Sequence, residues 1–273
     1  LTRQRIKTAL TTSAKPKLER QARRLTRQQK QLEQELMRTD DTPVKLTASR
    51  GRTLKQTDIK NIQPQTDTQE DVFDEFSEAS ALVLHGSAGT GKTFIAMYLA
   101  LLDVMDPEST YDRLVILRSC APTRDIGFLP GTAEEKLEMY EAPYEEICAE
   151  LTGRKDAYAK LKDMGLVEFA STSFLRGVTF NNAIVIADEF QNTTFQEAST
   201  VITRVGKNTK LVVVGDSRQD DLTKNKNDVS GFRDFLDVSY TMPEFRHFRF
   251  LPEDIVRSGL VKAWIIACEK KGL

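Results

Sequence analysis

Residues 85–93 read His-Gly-Ser-Ala-Gly-Thr-Gly-Lys-Thr, and this stretch limits the fold more than any other. The pattern of a glycine, four residues and Gly-Lys followed by Ser or Thr arises by chance in a chain of this length with a probability of about 0.01. Its surroundings make chance rarer still. The apolar run 81–86 predicts a buried strand before it, and 91–105 predicts a helix after it. Glycines at such a strand–helix turn let successive backbone N–H groups converge on phosphate oxygens, and the helix N-terminus adds its positive end. Gly86, Ser87, Ala88, Gly89, Thr90 and Gly91 are therefore expected to cradle phosphates. Lys92 is expected to reach the β and γ phosphates of ATP, and the Thr93 hydroxyl to ligate Mg²⁺.

A second phosphate motif should be an acid at the end of another buried strand. Residues 183–187 supply the apolar run, followed by Asp188 and Glu189. Such a run brings its acids to the carboxyl edge of a parallel sheet, where ligands bind. Asp188 is assigned to the Mg²⁺ shell and Glu189 to polarising the attacking water. A third strand, 210–215, runs toward Gln219, placed to contact both the γ-phosphate and that water.

The rest of the chain fits this frame. The 273 residues suffice for one large domain or two small ones. Three cysteines, Cys120, Cys148 and Cys268, make no disulfide framework and no zinc pattern. Apolar runs fall far short of the roughly 20 residues that span a bilayer. The basic, polar opening has no signal-peptide pattern, so a cytoplasmic protein without a membrane partner is expected. Secreted miniproteins, membrane proteins and collagen-like fibres are excluded.

Charge is divided unevenly. Residues 1–60 hold 16 Lys and Arg against 6 Asp and Glu, while the remainder is net acidic. A basic segment joined to an acidic body points to an anionic partner, nucleic acid by default. Within it, Leu18, Ala22, Leu25, Leu32 and Leu36 form a helical stripe over about 16–38, with Arg20, Arg23, Arg24, Arg27 and Lys30 on the other faces. That helix grips phosphates, pairs with a neighbouring subunit, or docks on its own domain. A short strand at 44–47 and a basic turn follow. The expected domains are thus a basic arm over 1–60 and an α/β domain over 61–273.

Along that domain, 56–69 reads as polar connecting chain. Strands are predicted at 81–86, 114–117, 166–170, 183–187 and 210–215. Helices are predicted at 91–105, 133–151, 156–164, 194–205 and 252–270. The last places Leu260 and Trp264 on one face, taken as core. Strands alternating with helices predict a parallel sheet covered on both faces. His85 and His247 read as packing or loop residues.

Several further motifs stand in a fixed order: Gly127–131, Phe174 to Gly177, Asp188 to Thr194, Thr203-Arg204, Gly215 to Gln219, and Asp254-Ile255-Val256-Arg257. Together with the glycine loop they resemble the PhoH family of phosphate-starvation-inducible ATPases of bacteria and their phages, over roughly 60–270. That family is similar to the ATP-binding half of superfamily 1 helicases, with one RecA-like domain. Its usual Asp-Glu-Ala-Gln-Asn reads Asp-Glu-Phe-Gln-Asn here, with Phe190 as the substitution. The resemblance implies ATP hydrolysis with Mg²⁺, RNA or single-stranded DNA as partner, and a ring-like homo-oligomer, a hexamer. Gln69 resembles the upstream glutamine that reads adenine in helicase-like ATPases; a solvated linker residue is the plainer alternative. No PIN-type nuclease or KH-like domain is recognisable, so nuclease activity is not expected.

A single RecA-like domain has no second domain to supply an arginine to the γ-phosphate. Arg257, Arg204 and Arg176 are the candidates for a trans arginine from a neighbouring subunit, with Arg257 favoured. Arg257 acting in cis as a sensor is the alternative. In helicase-like domains the region after the second strand faces the nucleic-acid track. Arg118 and Arg124 are accordingly assigned to backbone phosphates, and Phe128 to stacking on a base or to core packing. The competing functions are an ATP-dependent switch acting on a protein partner and, less suited to the acid pair, a small-molecule kinase.

Overall fold

The apolar runs become strands because both of their faces are covered. In β1 (Ala81–Gly86), β2 (Arg113–Arg118), β4 (Ala183–Asp188) and β5 (Thr209–Gly215), successive side chains alternate between two cores. Leu82, Leu84, Leu114, Ile116, Ile184 and Ile186 enter one core. Val83, Val115, Leu117, Val185, Leu211 and Val213 enter the other. With β3 (Val167–Ser171) and β6 (Phe245–Phe250) they form one six-stranded sheet in the order β3-β2-β4-β5-β1-β6. Every pairing is parallel. These relationships come from a computed structural model that describes residues 53–119, 133–172, 175, 177–216 and 230–271.

The helices are α1 (Asp67–Glu75), α2 (Lys92–Val104), α3 (Ala133–Thr152), α4 (Ala157–Asp163), α5 (Phe195–Thr203), α6 (Phe232–Ser239) and α7 (Gly259–Lys271). Residues of α1 to α4 pack in the first core, and residues of α5 and α6 in the second. The expected α/β, RecA-like architecture of a parallel sheet flanked by helices is therefore present. One strand, β5, stands between the loop strand β1 and the acid strand β4. Its carboxyl end is thus delivered between the phosphate loop and Asp188.

Three expectations are corrected. The stretch 56–69 is not plain connecting chain: it holds a short 3₁₀ turn, Gln56–Asp58, and the start of α1. Leu54 and Ile59, ahead of the expected boundary at 61, are buried in the core of the described unit. The other unit, Leu1–Ser49, with the predicted basic helix and strand, lies outside the described residues. The C-terminal helix starts at Gly259 rather than 252, after a 3₁₀ turn at Pro252–Asp254.

The face of that helix expected in the core is exposed instead, Leu260 at 83% and Trp264 at 70%. The reason is how α7 docks. It meets the body through Ile265, beside Gly89, and through Lys262 Nζ, which donates to the carbonyls of Glu253 (3.1 Å) and Ile255 (3.0 Å). Among the described residues no helix is long and apolar enough to cross a membrane.

Candidate active site

The phosphate loop leaves β1 at the carboxyl edge of the sheet and runs into α2. Gly86, Gly89 and Gly91 take positive φ angles of 120°, 71° and 79°, which only glycine adopts at little cost. A side chain at Gly86 would also strike the Phe250 carbonyl oxygen at 2.0 Å. The turn is held from several directions. Ser87 N–H donates to Phe250 O (3.0 Å), Val256 N–H donates to Gly89 O (3.1 Å), and Thr90 Oγ1 donates to Ser87 O (3.0 Å).

Lys92 is buried and curls under this turn. Its Nζ donates to Ser87 O (2.7 Å), Gly86 O (3.1 Å) and Thr90 Oγ1 (3.3 Å). Burial lowers its affinity for the proton, opposed by the negative charges of Asp216, Asp188 and Glu189. The ammonium is thus kept within the loop by weak carbonyl partners and faced by three carboxylates.

Asp188 ends β4 and is buried. Thr93 Oγ1 donates to its Oδ1 at 3.0 Å, and Tyr144 OH donates to its Oδ2 at 2.9 Å. Burial pushes this carboxyl above the usual carboxylate range and Glu189 adds to the shift; the two hydroxyl donors and Arg118 oppose it. The Thr93–Asp188 contact pairs the two protein groups expected around Mg²⁺. A hydroxyl and a carboxylate are hard oxygen donors that suit this ion, which is bound through one or two carboxylates plus phosphate oxygens. The residues present fit the metal.

A cleft of about 430 Å³ joins these groups. Its walls include Ala88 to Thr93 of the loop, Asp188, Glu189, Asp216, Arg118 and Arg257, with Glu146 and Ile147 of α3 at one side. Arg257 lies over the loop of its own chain: a Cβ on Gly89 would meet Arg257 Cγ at 3.0 Å. Within its own chain Arg257 thus stands where the cis alternative needs it. Arg204 is elsewhere. It caps α5, and its carbonyl accepts the Phe180 N–H (2.8 Å) next to the starts of β4 and β5. That is the amino edge of the sheet, opposite the loop.

The structure also places Arg118 and Gln69. The register partner of Arg118 across β2 and β4 is Asp188, and Arg118 lines the same cleft. Burial works against its cation, but Tyr144, Glu189 and Asp188 outweigh that and hold the guanidinium above its ordinary range. Gln69 is buried rather than solvated. Its Nε2 donates to Thr90 O (2.9 Å) and its Oε1 accepts the Gln65 N–H (2.8 Å), so its amide braces the loop. Gln219, Arg124, Phe128 and Arg176 lie outside the described residues.

His85 and His247 pack as expected. His85 Nε2 is 3.0 Å from Tyr240 OH, and the Tyr240 ring stacks on His247 at 3.9 Å. Burial, then the nearby His247, Arg249 and Lys92 charges, push His85 down to about 4. Tyr144 is a site residue that sequence reasoning missed. It sits on α3, 44 residues from Asp188, and its own burial holds it neutral as a donor, with the Asp188 charge adding to the effect. No spacing rule links a helix tyrosine to a strand-end acid.

Comparison with known proteins agrees with this geometry. The PhoH-like protein family model matches residues 61–269. The PhoH-like protein of Mycobacterium tuberculosis is 32% identical over 203 residues, covering 74% of this chain and 56% of that one. Protein PhoH of Escherichia coli is 36% identical over 177 residues, 64% of this chain and 49% of its own. The chain thus spans about half the length of the curated relatives it matches. A Walker-type ATPase of Pyrococcus abyssi, 15% identical, covers 82% of this chain and 62% of its own at a TM-score of 0.27, too loose a superposition to bear on the site. With the loop, the acid pair and the β5 end all inside the matched segment, the chain belongs to the PhoH-like family of P-loop proteins.

Proposed function

We propose that the chain is a Mg²⁺-dependent ATPase that couples hydrolysis to binding, remodelling or translocation on RNA or single-stranded DNA, working as a homo-oligomeric ring in the cytoplasm. The observation that carries the ATPase reading is the 3.0 Å contact between Thr93 and Asp188, beside Lys92 and Glu189 in one cleft. When bound, Mg²⁺ supplies charge neutralisation on the β and γ phosphates. Thr93 Oγ1 and Asp188 hold it. The backbone N–H groups of the loop receive the phosphates, and Lys92 exchanges its carbonyl partners for phosphate oxygens. Glu189 takes the proton from the attacking water. Arg257 and Arg118 flank the cleft as cis cations that face charge developing on the γ-phosphate.

With Arg257 in cis, mixing two inactive variants, Lys92→Ala and Arg257→Ala, is expected to restore no turnover, provided subunits exchange. Recovery of activity in the mixture would assign Arg257 to the neighbouring subunit's site.

The nucleic-acid reading rests on the basic segment, which is set against an acidic body. Turnover is expected to rise when poly-ribonucleotide or single-stranded DNA is added. Removing residues 1–49, which leaves Leu54 and Ile59 in the core, is expected to weaken binding and to flatten log affinity against log salt. An unchanged salt slope would turn the segment into an assembly element. Turnover indifferent to both polymers would favour the alternative, an ATP-dependent switch acting on a protein partner.

A further inference from the structure

Among the described residues three that are not glycine have a positive φ: Asn182, Asn208 and Glu189. Asparagine tolerates this region; glutamate rarely enters it, because its Cβ crowds the following carbonyl oxygen. Glu189 stands there at φ 51° and ψ 40°, directly after β4. Something must hold it against that preference. Part of the hold is a one-turn 3₁₀ helix, Phe190–Asn192, in which Asn192 N–H returns to Glu189 O at 2.9 Å.

The rest comes from Gln191, a buried residue that lines the cleft. Its Nε2 donates to Glu189 Oε2 at 2.6 Å, a short bond of the charge-assisted kind. Its Oε1 accepts the N–H of Asp216, the residue just past β5, at 2.9 Å. Its backbone carbonyl accepts Ser230 Oγ–H at 2.9 Å. The Asp216 bond settles which end of the amide is which. A backbone N–H needs an oxygen, so the nitrogen must face Glu189. The amide therefore has one orientation, and it ties the carboxylate on β4 to the end of β5, the strand lying between β4 and the phosphate-loop strand.

We propose that Gln191 is a positioning residue: it fixes the Glu189 carboxylate in the cleft and sets its place relative to the end of β5. The proposal rests on Glu189 being the group that takes the proton from water. A freely rotating glutamate samples many rotamers, and misplacement by about 1 Å costs up to about 100-fold in rate.

Two substitutions separate the arms of the amide. Gln191→Leu removes both bonds. Gln191→Glu keeps an oxygen for Asp216 N–H but loses the donor to Glu189. Both are expected to lower kcat by about 10- to 100-fold, with the affinity for a non-hydrolysable ATP analogue within about twofold of wild type, since Lys92 and Thr93 are untouched. In a Glu189→Gln background, Gln191→Leu is expected to cost little more, because its target is already lost. Equal losses in both backgrounds, or a Gln191→Glu enzyme with wild-type kcat, would overturn the proposal. If the wild-type protein binds ATP and hydrolyses none, the ATPase reading falls, and a crystal structure of Gln191→Leu decides the positioning role. Glu189 leaving its left-handed conformation or its carboxylate moving supports it; an unmoved Glu189 overturns it.

Discussion

Replacing Lys92 by alanine is expected to lower ATP turnover by at least about 10²–10³-fold, the loss seen when one preorganised charge-stabilising donor is removed, and to weaken nucleotide binding with it. The ammonium is buried, and its present partners are two carbonyls and a hydroxyl of the loop itself. Neutral acceptors of this kind hold a cation less well than phosphate oxygens do, so the exchange favours ligand. Three carboxylates facing the loop, Asp188, Glu189 and Asp216, make the loss worse. Without the lysine they repel the incoming triphosphate. Calorimetric titration with a non-hydrolysable analogue beside a turnover assay is the check, with thermal melting to show that the variant is folded. Binding at wild-type affinity would remove Lys92 from the phosphate site.

Glu189→Gln is expected to separate binding from chemistry. The substitution leaves Thr93 and Asp188 in place, so affinity for ATP with Mg²⁺ should stay near that of the wild type. Turnover should fall by about 10²–10⁴-fold, the usual contribution of a positioned general base. A glutamine at 189 can still bond the Gln191 amide through its carbonyl oxygen, so the loss reports the missing base rather than a collapsed turn. Full turnover in this variant would take the base assignment away from Glu189.

Much of this arrangement is legible in the amino-acid sequence, for a physical reason. Strands buried on both faces need continuous apolar runs, and a run such as Ala-Ile-Val-Ile-Ala ahead of Asp188, short and rich in β-branched residues, suits such a strand better than a helix. The phosphate loop is legible because its glycines answer to backbone geometry. What stays hidden is set by tertiary context. Helix α1 begins in a polar stretch, yet Thr66 and Gln69 carry the Ser/Thr-x-x-Glu/Gln signature of a helix start, and Thr66 does accept the Gln69 N–H. Strand β6 reads Phe-Arg-His-Phe-Arg-Phe, whose charges suit an edge strand and mask its pairing with β1. Arg118 and Gln69 can be located on the chain, but which way each side chain turns depends on register and on the loop beside it. Gln191 stands inside the Asp-Glu-Phe-Gln-Asn motif, but neither its clamp on Glu189 nor the contact of Tyr144 with Asp188 is marked by any sequence period.

The contacts that shape the phosphate loop have a consequence for the order in which the chain matures. Residues 86–93 leave the ribosome early, but Phe250, Val256, Arg257 and Ile265, which support Ser87 and Gly89, follow only after most of the sheet has been made. Until then Ser87 N–H lacks the carbonyl it is built to meet, and Gly89 lacks its cover. A nascent chain halted before 250 would carry the complete glycine motif and still have no settled pocket for a triphosphate. Completion of the phosphate loop is therefore a late event in the chain's synthesis.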